Sequence, residues 1–519
     1  MARIVTAREA VLAIPDHANV AVGGFCGFGS PDEVLLALRQ RFEETGAPRD
    51  ITILKGVSVG DRKDRGCNRL AAEGLVGRVI SGHVGLEPEL SQMIADDRCL
   101  AYMLPLGTIT ELFRAAASGK PGILTRCGMD TFVDPRLEGG KANTRTLETG
   151  PDIVSLETVG GVDCLFYPAI PVHACIIRGT YADEDGNISL EKEAIFADQM
   201  EAAAAAHNSG GVVIVQVEEI VQRGSLPPRD VKLHHFMVDY VVKARPEHHT
   251  QGFDTPEFRP ELTGAVRKPL QALEPIPLTD RKVCGRRAAM ELKAGTLVNL
   301  GIGMPDSVAS VAGEEGIANR FTLSIESGVL GGVPLSGLGL GAAVNPEAVY
   351  KMADILNIYD GGGLHTTVLG LAEIDQLGNV NVSCFSGRVT GPGGFINISQ
   401  NTPNVIFTGT FTAGSLRTEY RHGRLCILWE GRTVKFKKQV EQVTFSGKYA
   451  KEHGQNVLVV TERAVFRLRP EGLTLEEIAP GVDLEQDILT HMEFRPCISE
   501  TLREMDPRIF RESAMGLRL

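Results

Sequence analysis

The stretch VAVGGFCGFGSPDEV at residues 20–34 predicts a buried strand, a glycine turn and the start of a helix. Pro31 suits the first helical position, because the N–H that proline lacks would be unpaired there. Residues 297–308, LVNLGIGMPDSV, repeat this plan, and the polar turns at 183–189 and 375–381 form a second matching pair. Because the two pairs follow in the same order, the sequence predicts two related halves.

Other short apolar runs, such as Ile51–Leu54 and Val212–Val217, are typical of strands that are buried on both faces. Helical stretches fall between such runs, for example Asp32–Thr45, which stops at Gly46, and Ala197–His207. This alternation predicts the α/β class, with two related, open and mainly parallel α/β domains. In sheets of this kind, ligands bind beyond the carboxyl ends of the strands.

Six prolines fall within residues 246–278, which is the composition of a linker. We therefore predict an amino-terminal domain over residues 1–245, a linker over 246–278 and a carboxy-terminal domain over 279–519 that carries the candidate catalytic carboxylate. Within the carboxy-terminal part, residues 425–437 predict a hairpin whose turn is Glu-Gly-Arg.

The 519 residues carry a formal net charge of −12, which argues against a general nucleic-acid partner because such proteins need a basic surface. The ten cysteines include no C-x-x-C pair, which argues against a zinc ribbon or a thioredoxin-type site and favours reduced cysteines. Neither a signal-peptide layout nor an apolar stretch suited to a membrane helix occurs. We therefore expect a cytoplasmic protein without a membrane partner.

Residues 324–332, SIESGVLGG, place one carboxylate, Glu326, between an apolar run and a glycine-rich loop, and residues 327–346 carry no charge. Burial beside such a loop would raise the pKa of the carboxyl group and change its reactivity. A hydrated carboxylate at a strand end fits the local pattern as well. Downstream, residues 391–395 read GPGGF and suit either an oxyanion-binding turn or an ordinary loop.

Two other motifs resemble known signatures in part. The glycine turns lack the third glycine of G-x-G-x-x-G, with Asp32 and Asp306 in its place, and no Walker lysine follows, which argues against a nucleotide-binding enzyme. Residues 56–60, GVSVG, match the G-x-S-x-G elbow of serine hydrolases around Ser58. The polar residues 61–66 follow where a helix should begin, so an ordinary glycine turn is favoured.

Three motifs together resemble the signatures of family I coenzyme A transferases. They are Gly23-Gly24-Phe25-x-x-x-Gly29-x-Pro31, Ser324-x-Glu326-Ser327-Gly328 and Gly391-Pro392-Gly393-Gly394-Phe395. Further runs, at residues 178–183, 299–305, 359–363 and 400–403, resemble the propionate/acetate branch, which fuses both subunit types in one chain. The resemblance extends from about Ile4 to Leu517. It implies the coenzyme A transferase fold, with the active site at the interface of the two domains.

The resemblance implies that CoA moves between a short-chain acyl-CoA and a free carboxylate such as acetate, propionate, butyrate or acetoacetate. It makes Glu326 the catalytic residue, which forms a glutamyl–CoA thioester in a ping-pong reaction without a metal or a cofactor. The family motifs imply two further roles. Oxyanion or acyl binding is implied for Gly391, Gly393 and Gly394, and substrate or CoA binding for Gly24, Phe25, Gly29, Pro31, Ser327, Gly328 and Gly363.

Relatives in this family assemble as tetramers or larger, so the resemblance also implies a homo-oligomer, with a tetramer favoured. One departure is Leu106, which stands where relatives usually carry a glutamine that helps to hold the oxyanion or the substrate. The Leu106 side chain cannot donate a hydrogen bond. Two alternatives stay open: an acyl-CoA hydrolase on the same fold, in which water replaces the acceptor acid, and a catalytically idle protein that binds CoA esters.

Overall fold

The computed structural model describes residues 2–269 and 275–519, and these residues form two compact units. The first unit runs from the amino-terminal region to Lys268 and also includes Ile325–Asn357 and Cys384–Asn397. The second unit contains the other described residues up to Leu519. Each unit is built around a twisted sheet.

The sheet of the first unit is parallel throughout its described pairings. Its strands lie in the order β1-β8-β7-β6-β2-β3-β4-β5. Their bounds are β1 Arg3–Ile4, β2 Asn19–Val22, β3 Ile51–Lys55, β4 Val76–Ser81, β5 Leu100–Met103, β6 Ala174–Arg178, β7 Val212–Val217 and β8 Tyr240–Lys243.

The central strands of this sheet are apolar because both of their faces are covered. Every residue of β2, β3 and β6 is buried. The register pairs Val20 with Ile53 on one side and Ala21 with Cys175 on the other. Since all these strands point the same way, the loops after β2, β3, β4 and β5 leave the sheet at one edge, where ligands bind in open α/β sheets.

The sheet of the second unit has five parallel and two antiparallel pairings among the described strands of this unit. Within this unit its strands lie in the order β10-β9-β11-β12-β13-β14-β15-β16. Their bounds are β9 Leu297–Leu300, β10 Thr322–Ser324, β11 Thr366–Gly370, β12 Asn404–Thr408, β13 Asn456–Val460, β14 Ala464–Arg469, β15 Gly472–Ile478 and β16 Cys497–Glu504. Two mainly parallel sheets in an α/β chain confirm the predicted fold class.

The helices lie between these strands. Their bounds are α1 Ala7–Val11, α2 Asp32–Thr45, α3 Pro88–Ala95, α4 Leu106–Ala117, α5 Thr144–Thr149, α6 Gln199–Asn208, α7 Asp280–Ala289, α8 Ser307–Glu314, α9 Met352–Asp360, α10 Phe395–Gln400 and α11 Gly447–Glu452. Helix α2 has the predicted bounds and ends at Gly46, whose φ of +70° closes the helix in the left-handed conformation.

The remaining described strands are short, and most of them form small hairpins and ribbons. They are Gly122–Thr125, Ser155–Val159, Val162–Pro168, Tyr181–Asp183, Ile188–Ser189, Glu219–Val221, Val231–Leu233, Val329–Leu330, Val333–Pro334, Ala343–Val344, Ala348–Val349, Glu373–Asp375, Val380–Asn381, Cys384–Phe385, Arg388–Val389, Thr412–Ala413, Arg417–Arg421, Arg424–Trp429, Thr433–Val434 and Phe436–Lys437.

The second repeated motif has the same local geometry in both units. One Oδ1 atom of Asp183 accepts the N–H groups of Asp185 and Asn187, at 3.1 and 3.0 Å, and closes the turn into the following strand. Asp375 closes its own turn in the same way, through the N–H groups of Leu377 and Asn379. The repeat seen in the sequence is thus a repeat in structure.

The chain divides differently from the predicted boundaries. Residues 325–357, with Glu326, and residues 384–397 pack into the first unit instead of the carboxy-terminal one. Backbone hydrogen bonds join these segments to residues far upstream: the Asn345 N–H donates to the Glu261 carbonyl at 2.9 Å, and the Val84 N–H donates to the Thr390 carbonyl at 2.8 Å. Such pairings between distant residues have no signal in local composition.

Most of the predicted linker is packed structure as well. Residues 246–268 belong to the first unit, where Leu262 is fully buried. The Phe253 N–H donates to the Gly27 carbonyl at 3.0 Å, and His248 Nδ1 lies 2.7 Å from an Asp32 carboxylate oxygen. Prolines here begin short 3₁₀ turns instead of extending a spacer. Residues 270–274 of the predicted linker lie outside the described residues.

The predicted hairpin over residues 425–437 is wrong. Strand Arg424–Trp429 pairs antiparallel with the preceding strand Arg417–Arg421, and Thr433–Val434 pairs with Thr412–Ala413. His422 and Gly423 form the two-residue turn, with φ values of +53° and +74°. Positive φ at both positions matches the twist of a tight hairpin, so the turn lies before the strand instead of after it.

Candidate functional site

Glu326 lies in a tight turn that directly follows β10. The Gly328 N–H donates to the Ile325 carbonyl at 2.9 Å, and the Ile325 N–H donates to the Val329 carbonyl at 2.9 Å. Gly328 has a φ of +109°, and a Cβ at this position would lie 2.0 Å from the Tyr350 carbonyl oxygen. No side chain fits there without displacing backbone. Gly328 therefore shapes the turn that presents Glu326.

Ser327 points away from this turn into the protein. The residue is fully buried, and its hydroxyl donates to the Gly341 carbonyl at 2.5 Å. Glu326 next to it is half-buried. A substrate contact of Ser327 stays a prediction, because its hydroxyl is engaged within the uncharged loop 327–346.

The amino-terminal glycine signature packs against the same loop. Gly24 has a φ of +127°, and Phe25 and Phe28 exchange two backbone hydrogen bonds of 2.9 Å. The Phe25 ring is fully buried, and a Cβ on Gly341 would lie 2.6 Å from it. A Cβ on Gly27 would lie 2.6 Å from the Leu338 carbonyl oxygen. The motifs that the sequence placed about 300 residues apart are thus brought together, through contacts that only glycine permits.

Gly29 and Pro31 connect this loop to helix α2. Gly29 has a φ of +69°, and Pro31 is the residue that precedes the helix, one position before the predicted one. The Pro31 carbonyl accepts the N–H groups of Val34 and Leu35 at 3.1 and 3.2 Å, so it begins the helical hydrogen-bond ladder. Both residues have a clear role in the loop geometry, and their contact with a substrate stays a prediction.

The negative charge of Glu326 affects the titration of Cys26 in the amino-terminal glycine signature. Burial raises the pKa of the Cys26 thiol far above its usual range, and the carboxylates of Glu326 and Glu87 raise it further, while Lys55 and Arg62 act in the opposite direction. Cys26 is therefore a protonated thiol at neutral pH and not a nucleophile. The Glu326 carboxylate and charged groups near the loops after β2 and β3 therefore act on the same thiol.

The GPGGF loop is held against the loop after β4. Gly391 has a φ of +84°, and a Cβ there would lie 2.5 Å from the Gly82 carbonyl oxygen. The Gly393 N–H donates to that same Gly82 oxygen at 2.7 Å, so this N–H is not available as the oxyanion donor that we expected. Across the described residues the N–H of Gly394 has no acceptor. The N–H of Gly391 likewise has no acceptor among the described residues, so Gly391 and Gly394 are the glycine donors still available in this loop.

Leu106 touches the GPGGF loop through its backbone. Its N–H donates to the Gly393 carbonyl at 3.0 Å, and the next residue, Gly107, donates its N–H to the Asn397 side-chain oxygen at 3.0 Å. The Leu106 side chain is fully buried, and its Cδ1 lies 2.8 Å from where a Cβ on Gly56 would be. At this point next to the loop, the side chain supplies apolar surface and no hydrogen-bond donor.

Gly363 belongs to the second unit, whereas the other predicted site residues belong to the first. It follows helix α9, and its N–H donates to the Ile358 carbonyl at 2.8 Å. A Cβ on Gly363 would lie 2.6 Å from the Ile358 side chain. Its observed role is to end this helix, and substrate binding at Gly363 stays a prediction.

The G-x-S-x-G motif is a glycine turn, as the sequence favoured. Ser58 is fully buried, its hydroxyl oxygen accepts the Leu86 N–H at 3.3 Å, and it lies 2.9 Å from His83 Nδ1. A Cβ on Gly60 would lie 2.6 Å from the Leu86 carbonyl oxygen. A serine nucleophile must be exposed at the top of a strand-to-helix turn. Burial of Ser58 therefore excludes the hydrolase elbow.

Sequence reasoning missed a buried polar cluster beneath these loops. Lys55 Nζ lies 2.9 Å from the Glu87 carboxylate, 2.9 Å from Ser81 Oγ and 2.9 Å from the His83 carbonyl oxygen. Burial raises the pKa of Glu87, although the Lys55 ammonium and the Val59 N–H favour its charged form. A signal for this cluster was present in the charged residue that ends the otherwise apolar strand β3.

Metal-ligand clusters and membrane-spanning helices are absent from the described residues. No group of three or more histidine, cysteine, aspartate or glutamate side chains is arranged there to hold a metal ion. Among the helices in the described ranges, none has both the length and the apolar character needed to cross a bilayer.

Comparison with known proteins adds relatives along the whole chain. The family model described as coenzyme A transferase matches residues 4–244. Caffeate CoA-transferase of Acetobacterium woodii is 45% identical over 522 residues, which cover 100% of this chain and 99% of the relative. Acetate CoA-transferase YdiF of Escherichia coli strain K12 is 41% identical over 514 residues, covering 99% of this chain and 96% of the relative.

A solved structure gives the same picture for the fold. The crystal structure of acyl-CoA transferase YdiF from Escherichia coli O157:H7, in a thioester complex with CoA, superposes with a TM-score of 0.94 at 40% identity. The match covers 100% of this chain and 98% of the other. Similarity therefore extends over both units and not only over the amino-terminal region.

Proposed function

The chain belongs to the coenzyme A transferase family and is an enzyme of that class, and we propose that it moves CoA from a short-chain acyl-CoA to a free carboxylate through a covalent thioester on Glu326. The observation that carries this proposal is the position of Glu326. It is the carboxylate at the apex of a rigid turn, half-buried beside the amino-terminal glycine signature, in the unit that also holds the GPGGF loop.

The first half of the reaction has two covalent steps. A Glu326 carboxylate oxygen attacks the thioester carbonyl carbon, and the carbonyl π electrons move to its oxygen. Collapse of this oxyanion expels CoA as a thiolate and leaves a mixed anhydride. The thiolate then attacks the glutamyl carbonyl carbon, which releases the first acid as a carboxylate and leaves CoA on Glu326. The second acid reverses both steps, which gives ping-pong kinetics.

The surroundings of Glu326 suit this chemistry. A carboxylate attacks poorly when fully hydrated, and the uncharged loop 327–346 leaves Glu326 half-exposed. The developing oxyanion needs a donor, and the Gly394 N–H is the candidate in the GPGGF loop. Because the energy of the thioester is conserved from one acid to the next, we propose that no metal or cofactor takes part.

The acid is proposed to be a monocarboxylic acid of short chain length, such as acetate, propionate, butyrate or acetoacetate. The related enzymes are named for acetate and for caffeate, each with one carboxylate. Leu106 bonds to the GPGGF loop through its backbone, and its buried side chain is apolar, which fits an acid without a second charged group.

Intact mass spectrometry tests the covalent step directly. Incubation with acetyl-CoA should add the mass of a CoA thioester, and peptide mapping should locate it on Glu326. Glu326→Gln should lose both the adduct and CoA exchange. Glu347→Gln is the matched control, because Glu347 is an exposed glutamate of the same 325–357 segment, and it should keep both. An adduct on another residue, or full exchange by the Glu326 variant, would reject the proposal.

Acceptor dependence separates the transferase from the two alternatives. A transferase should consume acetyl-CoA only when propionate or another acid is added. Consumption without an added acid would indicate an acyl-CoA hydrolase. Saturable binding of acyl-CoA with neither adduct nor turnover would indicate an idle CoA-ester-binding protein.

A further inference from the structure

His83 lies beside the GPGGF loop. It follows strand β4, and the residues on both sides of it bond to that loop. The Gly82 carbonyl accepts the Gly393 N–H at 2.7 Å, and the Val84 N–H donates to the Thr390 carbonyl at 2.8 Å. A Cβ on Gly393 would lie 3.9 Å from the His83 Cβ. The two loops are therefore in direct contact at this histidine.

Hydrogen bonds to Nδ1 determine which nitrogen of the His83 ring carries the proton. The Gly85 N–H donates to Nδ1 at 3.2 Å, so Nδ1 is an acceptor. Ser58 Oγ lies 2.9 Å from the same atom and accepts the Leu86 N–H, so the Ser58 hydroxyl hydrogen is free to point at Nδ1. A neutral imidazole with Nδ1 as acceptor has its proton on Nε2.

The ring stays neutral at physiological pH. Burial lowers the pKa of His83 to about 4, and the positive charges of Lys55 and Arg62 act in the same direction. The His83 side chain is partly exposed to solvent. Across the described part of the chain, its Nε2 has no hydrogen-bond partner. His83 is thus a neutral, oriented donor with its N–H unused.

Two of the donors expected at this place are not available. The Gly393 N–H is bonded to the Gly82 carbonyl, and the Leu106 side chain is apolar. We propose that His83 supplies the missing donor, with its Nε2–H bonding the carbonyl oxygen of the acyl thioester as Glu326 attacks. This inference rests on the proposed function. It assigns a second catalytic residue and a second donor beside Gly394.

The step itself needs no proton transfer from His83. As the carboxylate oxygen of Glu326 bonds to the thioester carbon, the π electron pair moves to the carbonyl oxygen, and the Nε2–H stabilises that negative charge. When the oxyanion collapses, the pair returns, the carbon–sulfur bond breaks and CoA leaves as a thiolate. The imidazole begins and ends neutral. A neutral donor suits this role because it does not neutralise the attacking carboxylate by an ion pair.

Single-turnover formation of the Glu326–CoA adduct tests the proposal. His83→Ala should slow adduct formation by about 10²–10³-fold, the usual effect of losing one oxyanion donor. Its dissociation constant for CoA should stay within about twofold of wild type, because the donor acts on the reacting atom. His83→Gln keeps a side-chain N–H and should recover part of the rate. Adduct formation by His83→Ala at the wild-type rate would overturn the proposal.

A second variant moves the His83 imidazole ring without removing it. A Cβ on Gly85 would lie 2.7 Å from His83 Cε1 and 3.0 Å from Nε2, so Gly85→Ala must displace the imidazole. It should slow adduct formation by at least about tenfold. Wild-type kinetics in a folded Gly85→Ala protein would count against the proposal even if His83→Ala fails to fold.

His173→Ala is the matched control. His173 Nδ1 also accepts a backbone N–H, that of Asn19 at 2.9 Å, but it precedes strand β6 and so lies at the opposite, amino-terminal edge of the sheet. This variant should form the adduct at the wild-type rate, and equal losses in both histidine variants would contradict a local role. If the wild-type protein itself forms no adduct, the proposed function fails instead, which is a different result from failure of the His83 proposal.

Discussion

The hydroxyl of Ser327 donates to the carbonyl oxygen of Gly341 at 2.5 Å and ties the turn that carries Glu326 to the uncharged loop after it. Both partners are buried. This side-chain hydrogen bond therefore helps to hold the Glu326 backbone from its carboxy-terminal side.

We expect Ser327→Ala to lower the free energy of unfolding by about 1–3 kcal/mol, because a buried carbonyl loses its donor. Urea unfolding of the purified protein measures this change. Ser336→Ala is the control, since Ser336 is exposed in the same loop, and it should stay within about 0.5 kcal/mol of wild type. Equal effects of the two changes would mean that the Ser327–Gly341 bond is not what holds the turn.

Gly328→Ala should be far more costly than a glycine substitution elsewhere in the loop. A Cβ at Gly328 would lie 2.0 Å from the Tyr350 carbonyl oxygen, whereas a Cβ at Gly337, which also has a positive φ, meets no atom within 4 Å. We expect a loss of about 3–5 kcal/mol for Gly328→Ala and of about 1–2 kcal/mol for Gly337→Ala. Thermal and urea unfolding of both variants measure the difference, and similar losses would contradict the close approach of Tyr350.

Lys55→Met should destabilise the protein because it leaves the Glu87 carboxylate without its charged partner. Glu87 would become an unpaired buried carboxylate, which costs about 3–5 kcal/mol. The double change Lys55→Met with Glu87→Gln should recover much of this loss, because the amide is uncharged and its oxygen can still accept the Val59 N–H. Urea unfolding of the single and double variants decides the matter. A double variant no more stable than Lys55→Met would show that the unpaired charge is not the cause.

Asp198 should make stability depend on pH. It is fully buried, and among the described residues only weak contacts with the backbone N–H groups of Asp198 itself, Gly24 and Gly56 favour its charged form. Burial raises the pKa of Asp198 to about 7, and the Glu201 carboxylate adds to the rise. The native state then holds this proton more tightly than the unfolded chain. The contribution of Asp198 to the free energy of unfolding therefore falls as the pH rises from about 4 to about 7.

Asp198→Asn removes this titration. Over the same pH range its free energy of unfolding should therefore exceed that of wild type by up to about 4 kcal/mol. Urea unfolding of the two proteins at several pH values between about 4 and 8 measures the gain. The difference between the two proteins cancels the other titrating groups that they share. A difference that does not change with pH would show that the Asp198 carboxyl group titrates as it does in the unfolded chain.

The local part of the fold could be predicted from the sequence. Helix α2 has the predicted bounds because Gly46 ends it in a conformation that other residues disfavour. The strands of the first sheet are buried on both faces, so their apolar runs are continuous and easy to recognise. The hairpin at residues 425–437 was misplaced because the His422–Gly423 turn is a stronger signal than the Glu-Gly-Arg segment.

The candidate site could be predicted only in part. Glu326 and the glycine motifs were found because each is a short, unusual pattern in its own stretch of chain. His83, Lys55 and Glu87 were missed, since their relationship depends on which loops lie side by side after β3 and β4. The bond from the Gly393 N–H to Gly82 could not be predicted for the same reason, because Gly82 lies about 310 positions earlier in the chain.

The sequence by itself determined the α/β class, the repeated strand–turn–helix plan and the glutamate at the end of a strand. These are properties of hydrophobic period, turn chemistry and backbone conformation, and each is set within about a dozen neighbouring residues. Only the tertiary structure decided that residues 325–357 and 384–397 join the first unit, and which backbone N–H groups remain unbonded. A hydrogen bond between distant segments depends on how strands are ordered in a sheet, and no local stretch of sequence determines that order.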